Sequence, residues 1–343
     1  MIDIRLQELI KDATVKLGLD IDQDTIVIET SKDSAHGDYA TNIAMQLARP
    51  LRKNPREVAT LLINAMDQTP FEKIEIAGPG FINFFLKPET LSKYIATILK
   101  EGSNFGNGSK KDTKVNIEFV SANPTGKLHL GHARGAAVGD TLARLFIKSG
   151  YEVIREFYVN DAGVQIDNLG KSLYVRYLNL FGIEKELPKD AYHSTDLIAI
   201  AESLKAEIGD KYVKESKEGL EYFKLEGTNK FLEIIKNDLQ NFDVVFDVYS
   251  YETKVRAGNT IPKLLEKLAP FTYEEDGATF LKTSDFGDDK DRVIIKSNGD
   301  FTYFLPDIAY HLNKLSRGSS LLIDVLGADH HGYIGRMKAA LQM

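Results

Sequence analysis

Apolar and polar residues alternate over residues 114–120, where Val115, Ile117 and Phe119 are separated by Asn116 and Glu118. That period of two, in a run rich in β-formers, predicts a strand entering a core. The turn-rich Ser121-Ala-Asn-Pro-Thr-Gly126 breaks it, and Leu128, Leu130, Ala133, Ala137, Leu142 and Leu145 then recur at helical spacing up to Gly150. A helix is therefore predicted to begin near His129. Residues 151–158 return as a second strand, and a strand–helix–strand unit of this length implies a parallel, right-handed connection. This is the first half of a doubly wound α/β nucleotide-binding fold, whose ligands lie at the carboxyl ends of the strands. Ser121 to His132 and Val159 to Gly163 both fall at that end.

The same reading organises the rest of the chain. Residues 1–17 form an amphipathic helix stopped at Gly18, and 25–30 a short strand. Residues 38–49 are predicted as a helix, and Asn54 as the cap of another through residue 66, with Pro55 at its first position. Residues 74–77 and 81–86 make a hairpin around Gly78-Pro-Gly80, and 88–100 a closing helix. Residues 1–101 are thus a small α+β domain, the polar, glycine-rich 102–112 a linker, and 113–343 a second domain. Within it, residues 182–258 read as a highly charged helical insertion, with 198–208, 212–225 and 229–242 as helices. There His193 reads as a surface residue beside a helix cap at Ser194 or Thr195. A helix at 261–269, hairpins at 271–281 and 291–304, a helix from Leu305 with Pro306 at its first position, a buried strand at 321–326 and a last helix complete the chain.

At 343 residues, 43% hydrophobic and 27% charged, the chain has the material for two ordinary soluble domains. No run approaches the roughly 20 apolar residues of a membrane span. The first 18 residues mix acids into an amphipathic pattern unlike a secretory or transit signal. Zero cysteines exclude disulfides and thiolate metal sites, which fits a cytoplasmic setting. The net charge of −7 argues against a protein that holds nucleic acid by bulk electrostatics, so any such contact must be local.

His129 and His132 flank Leu130-Gly131 in the first turn of the predicted helix, and their i,i+3 spacing puts both imidazoles on one face. A helix N-terminus favours anions, so two imidazoles there suit phosphate, and Gly131 leaves room for a base or ribose to approach the backbone. The simpler alternative is that either histidine only caps the helix or faces solvent. Zinc is disfavoured, since helical zinc pairs sit at i,i+4 with a third ligand nearby. The GxGxxG fingerprint is absent, which disfavours a nicotinamide or flavin enzyme.

The segment EFVSANPTGKLHLGHARGAAVGDTLARL (118–145) resembles the signature of arginyl-tRNA synthetases, with the class I "HIGH" element present as HLGH. EFYVNDAG (156–163), YFLPDIAY (303–310) and GADHHG (327–332) are similar to further segments of that family, in the same order. HGDYATNIAMQLAR (36–49) resembles its N-terminal tRNA-contacting domain. The resemblance implies a Rossmann-like class I synthetase catalytic domain with a helical insertion, preceded by the small α+β domain. The function it implies is arginine–tRNA ligase: attack of the arginine carboxylate on the α-phosphorus of ATP, then transfer of the arginyl group to tRNA(Arg). It assigns His129, Gly131 and His132, with Gly327, Asp329, His330 and His331, to ATP, and His129 and His132 to catalysis. Glu118, Ser121 and Asn123 are assigned to the amino-acid end of arginine, and Tyr303 and Asp307 to its guanidinium. Arg49, Arg52, Lys53 and Arg56 would meet tRNA phosphates, the alternative being solvated helix ends. Mg²⁺ arrives with ATP, no zinc is expected, and a monomer without membrane contact is expected.

Asp307 suits its assignment, because a guanidinium fork calls for a carboxylate, although an acid in a first helical turn is also favoured by the dipole alone. Glu118 and Asn123 likewise admit plain roles, as a solvent-facing strand residue and a turn-former before Pro124. Members of the resembled family continue into a KMSK-type loop and an anticodon-binding domain, neither of which is legible here, so a fragment of a longer synthetase is expected. Two other classes stay open: another HxGH nucleotidyltransferase acting on a small acid, for which a guanidinium pocket has no use, and a non-catalytic arginine- or tRNA-binding module.

Overall fold

A computed structural model describes residues 2–257, 259–327 and 331–343, with His331 described by its backbone alone. The chain divides into two compact units, Met1–Asn107 and Gly108–Met343.

In the first unit, α1 (Ile2–Lys16), α2 (Ile43–Leu51) and α3 (Pro55–Ala65) cover one antiparallel sheet, and α4 (Pro88–Glu101) follows it. The strands are β1 (Glu29–Thr30), β2 (Tyr39–Thr41), β3 (Phe71–Ala77) and β4 (Phe81–Leu86), in the order β1-β2-β4-β3. Leu6, Ile10, Ile43, Val58, Leu62, Ile82 and Phe84 form its core. Asn54 Oδ1 accepts from the Arg56 N–H at 2.9 Å, so the cap legible in the Asn-Pro pair starts α3. Two predicted elements change. The predicted strand 25–30 pairs only at Glu29–Thr30, because a 3₁₀ turn at Gln23–Thr25 takes its first residue. The predicted helix 38–49 loses its start to β2, where Tyr39, Ala40 and Thr41 lie opposite Phe84, Asn83 and Ile82. Thr41 Oγ1 donates to Val27 O at 2.7 Å and accepts from the Ile43 N–H at 3.3 Å, turning strand into helix within two residues.

The second unit begins as predicted: β5 (Lys114–Glu118), α5 (Leu130–Lys148), then β6 (Glu152–Val159) parallel to β5. There follow α6 (Val164–Asn179), α7 (Thr195–Ile208), α8 (Lys217–Asn241), β7 (Val248–Tyr251), α9 (Glu252–Ala257) and α10 (Thr260–Leu268). A small antiparallel sheet of β8 (Thr272–Glu275), β9 (Ala278–Leu281) and β10 (Arg292–Ile295) comes next, and α11 (Phe304–Ser316), β11 (Leu321–Asp324) and α12 (His331–Gln342) complete the unit. The main sheet is wholly parallel, β11-β5-β6-β7, with Glu118 opposite Asp324 on one side and Glu156 on the other. Its order reverses at β5, which makes the carboxyl end of β5 the switch point where this kind of fold binds ligands.

Val115, Ile117, Phe119, Ala136, Phe157 and Val159 form the core under this sheet together with Leu232, Ile235 and Leu239 of α8. Gly139 is what lets α5 lie so close: a Cβ there would stand 2.2 Å from Cγ of Phe119. The region predicted as helical insertion differs in two ways. The predicted helices 212–225 and 229–242 are replaced by one, α8, which starts only at Lys217 and runs without a break through Gly227. A Cβ at Gly227 would stand 3.1 Å from Leu173 Cδ2, so the glycine serves the approach of α6 to α8 and does not end the helix. Residues 248–251, assigned to the insertion, are instead the fourth parallel strand. Of the two predicted hairpins, β8–β9 forms around Asp276-Gly277, whereas residues 300–304 contribute a single bridge, Ile295 to Phe301, before α11 begins at Phe304. Pro306 therefore occupies the third helical position.

Candidate active site

The turn after β5 is strained. Val120 (φ 67°) and Ser121 (φ 40°) both occupy the left-handed region, costly for a β-branched residue. Ser121 holds this conformation by donating from Oγ to Glu118 Oε1 at 2.8 Å while accepting from the Tyr158 N–H at 3.1 Å. Asn123 stands exposed beyond the turn, its amide donating to Gln165 Oε1 at 2.7 Å.

The loop delivers His129 as N-cap of α5 and His132 as its third residue. Nδ1 of His129 accepts from the Gly131 N–H at 3.1 Å, and Nδ1 of His132 from the His129 N–H at 3.3 Å, a reciprocal capping box made by imidazoles. The rings stack with centroids 3.8 Å apart. This refines the anion site expected from an open helix end, since two of the first-turn N–H groups are already satisfied by the histidines themselves. With both Nδ1 atoms accepting, the neutral rings carry their protons on Nε2, which leaves two N–H donors for phosphoryl oxygens. Burial, then the proximity of His129, holds the His132 pKa below the usual histidine value, favouring the neutral form.

Across the switch point, α11 runs antiparallel to the strands, and one of its faces carries Asp307, His311, Lys314 and Arg317. The last three are ion-paired to acids in the strands. Lys314, wholly buried, donates to Glu118 Oε2 at 2.6 Å and Asp324 Oδ1 at 2.8 Å, with its ammonium 4.5 Å from the centre of the Tyr310 ring. Although burial opposes a charged lysine, Glu118 and Asp324 hold its pKa above the ordinary value. Arg317 clasps both oxygens of wholly buried Glu156, at 2.8 and 2.6 Å, while Asn116 and Ser250 each donate to Glu156 at 2.5 Å. These donors overcome burial and depress the Glu156 pKa. His311 Nε2 lies 2.8 Å from Asp324 Oδ2, and Nδ1 lies 2.8 Å from the Asp307 carbonyl oxygen. Both ring nitrogens face acceptors, so both carry protons, in keeping with a pKa raised by Asp324 against the effect of burial. Three carboxylates, Glu118, Glu156 and Asp324, are thus matched by three cations.

Asp307 is outside that balance. Its carboxylate accepts a hydrogen bond from the Tyr333 hydroxyl, and among the described residues no lysine, arginine or histidine side chain pairs with it. Burial pushes its pKa up to about 6, the Tyr333 hydrogen bond and His311 opposing, Glu118 and Glu252 adding to it. When ionised it is a surplus negative charge in an otherwise neutral cluster. A ligand cation is what such a group lacks.

The other expected residues fall as follows. Tyr303 precedes α11 but is 71% exposed and borders an open cleft of about 440 Å³ with Gly163, Arg256, Lys296 and Phe301, so the phenol that meets Asp307 is Tyr333. Gly327 is exposed just beyond β11. Asp329, His330 and the side chain of His331 lie outside the described residues. In the first unit Arg49, Arg52, Lys53 and Arg56 are all exposed around the α2–α3 turn, Arg56 donating to Gly78 O at 2.6 Å. Lys314, Asp324, His311, Glu156 and Arg317 were not legible as site residues. A signal existed only for the helix face, as basic residues at positions 311, 314 and 317 follow Asp307 at helical spacing.

Comparison with known proteins accords with this arrangement. The arginyl-tRNA synthetase N-terminal domain family matches residues 5–86, and the class I (R) tRNA synthetase catalytic domain family matches residues 94–337. The chain is 51% identical over 349 residues to the arginine–tRNA ligase of Bacillus subtilis (strain 168), an alignment covering 98% of this chain and 62% of that protein. A Campylobacter jejuni structure described provisionally as an arginyl-tRNA synthetase shares 38% identity at a TM-score of 0.69, covering 75% of this chain and 57% of that one. The Thermus thermophilus arginyl-tRNA synthetase, at 23% identity, has the same fold, with a TM-score of 0.54 over 91% of this chain and 53% of that one. The chain spans about three-fifths of the length of the curated relatives it matches. Its two matched domains, and the near-complete alignment of its length to arginine–tRNA ligases, show that the chain belongs to the arginyl-tRNA synthetase family.

Proposed function

We propose that this chain carries the arginine-activating site of an arginine–tRNA ligase and works in the cytoplasm on L-arginine, ATP and tRNA(Arg). The observation that carries this reading is Asp307, a carboxylate beside a charge-balanced cluster at the switch point and without a basic partner of its own among the described residues. A guanidinium would supply the missing charge through two parallel hydrogen bonds, whereas a lysine ammonium would leave an acceptor unpaired. Glu118, Ser121 and Asn123 are read as the groups meeting the α-ammonium and α-carboxylate.

ATP enters with Mg²⁺ as substrate, its phosphates at the Nε2–H donors of His129 and His132, with Gly131, Gly327, Asp329, His330 and His331 read as its adenosine contacts. The arginine carboxylate attacks the α-phosphorus, the bond to the bridging oxygen breaks, and pyrophosphate leaves. No side-chain nucleophile is needed. The histidines act by donating to oxygens on which negative charge builds. Arginyl transfer to the terminal ribose follows, with Arg49, Arg52, Lys53 and Arg56 read as phosphate contacts elsewhere on the tRNA.

Arginine-dependent exchange of pyrophosphate into ATP, measured with and without tRNA, tests this. Exchange that arginine supports and lysine does not is the expected result. Exchange supported by a small acid lacking a guanidinium would favour another HxGH nucleotidyltransferase, and arginine binding without exchange under either condition a non-catalytic module.

A further inference from the structure

Tyr158 is the last residue but one of β6, half-buried and so far without a task. Phe157 and Val159, its neighbours in the chain, point into the apolar core, which leaves Glu156 and Tyr158 on the opposite face of the sheet, the face that α11 covers. The Tyr158 N–H donates to Ser121 Oγ at 3.1 Å and so fixes this residue beside the switch-point turn. Its ring packs against Tyr310 with centroids 4.7 Å apart, and Tyr310 lies on α11 three residues, slightly less than one turn, beyond Asp307. Sheet and helix together bring the phenol to the Asp307 end of the charged cluster. The hydroxyl itself has no hydrogen-bond partner among the described residues.

Burial raises the Tyr158 pKa, and the carboxylates of Glu252, Asp307 and Glu118 raise it further against the opposing effect of Arg256, so the group stays a phenol among acids. An ionised carboxylate only accepts. Whichever of them takes the phenolic hydrogen, the oxygen keeps lone-pair capacity for an N–H donor, and none of the described residues provides one. A guanidinium does: of its five N–H groups, two pair with the Asp307 carboxylate and three are left over. We propose that Tyr158 is a specificity residue for the guanidinium, its hydroxyl oxygen accepting one of the N–H groups that Asp307 leaves unpaired, a role that rests on the reading of Asp307 as the guanidinium site. A lysine ammonium gathers its donors on one nitrogen and cannot present a fork to Asp307 together with an N–H from another nitrogen to Tyr158. The unpaired acceptor then adds to the rejection of lysine.

Tyr158→Phe removes the hydroxyl and keeps the ring against Tyr310, so it tests the hydrogen bond apart from the packing. Arginine-dependent pyrophosphate exchange is measured with tRNA present for the unaltered chain, Y158F and D307N, beside thermal melting of the ligand-free proteins. If the unaltered chain binds arginine without exchange, calorimetric affinity takes the place of KM. The guanidinium is remote from the reacting carboxylate, so its contacts are made equally in the ground and transition states. Y158F is expected to raise the arginine KM about tenfold, to change kcat less than about threefold and to melt within about 2 °C of the unaltered chain, since the free protein loses no bond to the hydroxyl. No change in KM, or a fall in kcat as large as the rise in KM, would overturn the role. So would a melting temperature lowered beyond that margin, which would make the part of Tyr158 structural. An unchanged KM in D307N, or no arginine binding by the unaltered chain in either assay, would instead overturn the guanidinium site itself, and the role of Tyr158 with it.

Discussion

The Tyr333 hydroxyl donates to Asp307 Oδ2, and with no side-chain cation pairing with that carboxylate among the described residues, burial lifts the Asp307 pKa to about 6. Guanidinium binding requires the ionised form. Arginine affinity is therefore expected to be level above pH 7 and to fall toward tenfold per pH unit below 6, as the folded chain takes up a proton that the ligand must expel. Asp307→Asn should lose both the binding and this pH dependence. The sign for stability is opposite: a carboxyl raised on folding makes the unliganded fold less stable as pH rises from about 4 through 6. Asp307→Asn should then stabilise the free chain at pH 7, by roughly 1–2 kcal/mol for a half-buried group, and thermal melting at pH 4 and pH 7 checks it.

Tyr333→Phe removes the hydrogen bond that favours ionised Asp307, so the midpoint of the arginine-binding pH profile should move upward from about 6. Affinity at pH 8 should change little. Calorimetric titration of arginine from pH 5.5 to 8 distinguishes this from a steric contribution of the tyrosine, which would weaken binding equally at every pH.

How much of this site could be read from the chain depended on the distance over which the residues act. The alternation of Val115, Ile117 and Phe119, the turn, and the helix beginning at His129 are local signals and placed the switch-point loop within a residue or two. Asp307 was singled out through the resemblance of residues 303–310, since its place near a helix start alone favours the plain reading of an acid matched to the helix dipole. Lys314 and Glu118 are 196 positions apart, and Arg317 and Glu156 161, so no local period announces either pair. The Tyr333 contact was hidden for the same reason, since only packing brings the start of α12 to Asp307. Residues 248–251, all half-buried, lack the two-sided contrast that marks a strand and sit between helices, hence their loss to the insertion. The gap between the predicted helices 212–225 and 229–242 has a different origin: Gly227, which lies in it, serves interhelical contact, and a sequence shows a glycine without showing what lies over it.

Arg317 and Glu156 form the pair whose loss should be most visible in stability. Arg317→Met strands a wholly buried carboxylate that retains Asn116 and Ser250 as neutral donors, and about 3 kcal/mol should be lost. Glu156→Gln combined with Arg317→Met should cost markedly less than the single change, because the uncompensated charge is gone. The pH test has a definite sign. Glu156 is depressed in the fold, so its contribution is present above the unfolded carboxyl pKa and is lost as pH falls through the folded value. Denaturant melts of the unaltered chain and both variants, at pH 7 and at a pH below the unfolded carboxyl value of about 4.3, measure the cycle and its pH dependence.

His132 should separate chemistry from binding. Its Nδ1 is committed to the His129 backbone, and its depressed pKa keeps the ring neutral near pH 7, with Nε2–H as the available donor. A donor directed at oxygens that gain charge during attack contributes more in the transition state than in the ground state. His132→Ala should therefore slow arginine-dependent pyrophosphate exchange about 100-fold while arginine affinity moves less than about threefold. His132→Asn offers an amide in place of the imidazole N–H, and partial recovery of exchange would assign the effect to the donated hydrogen bond. Equal loss of exchange and arginine binding would place His132 in the fold of the loop and not at the phosphates. Exchange kinetics at saturating arginine, set beside calorimetric affinities for the same proteins, decide between the two.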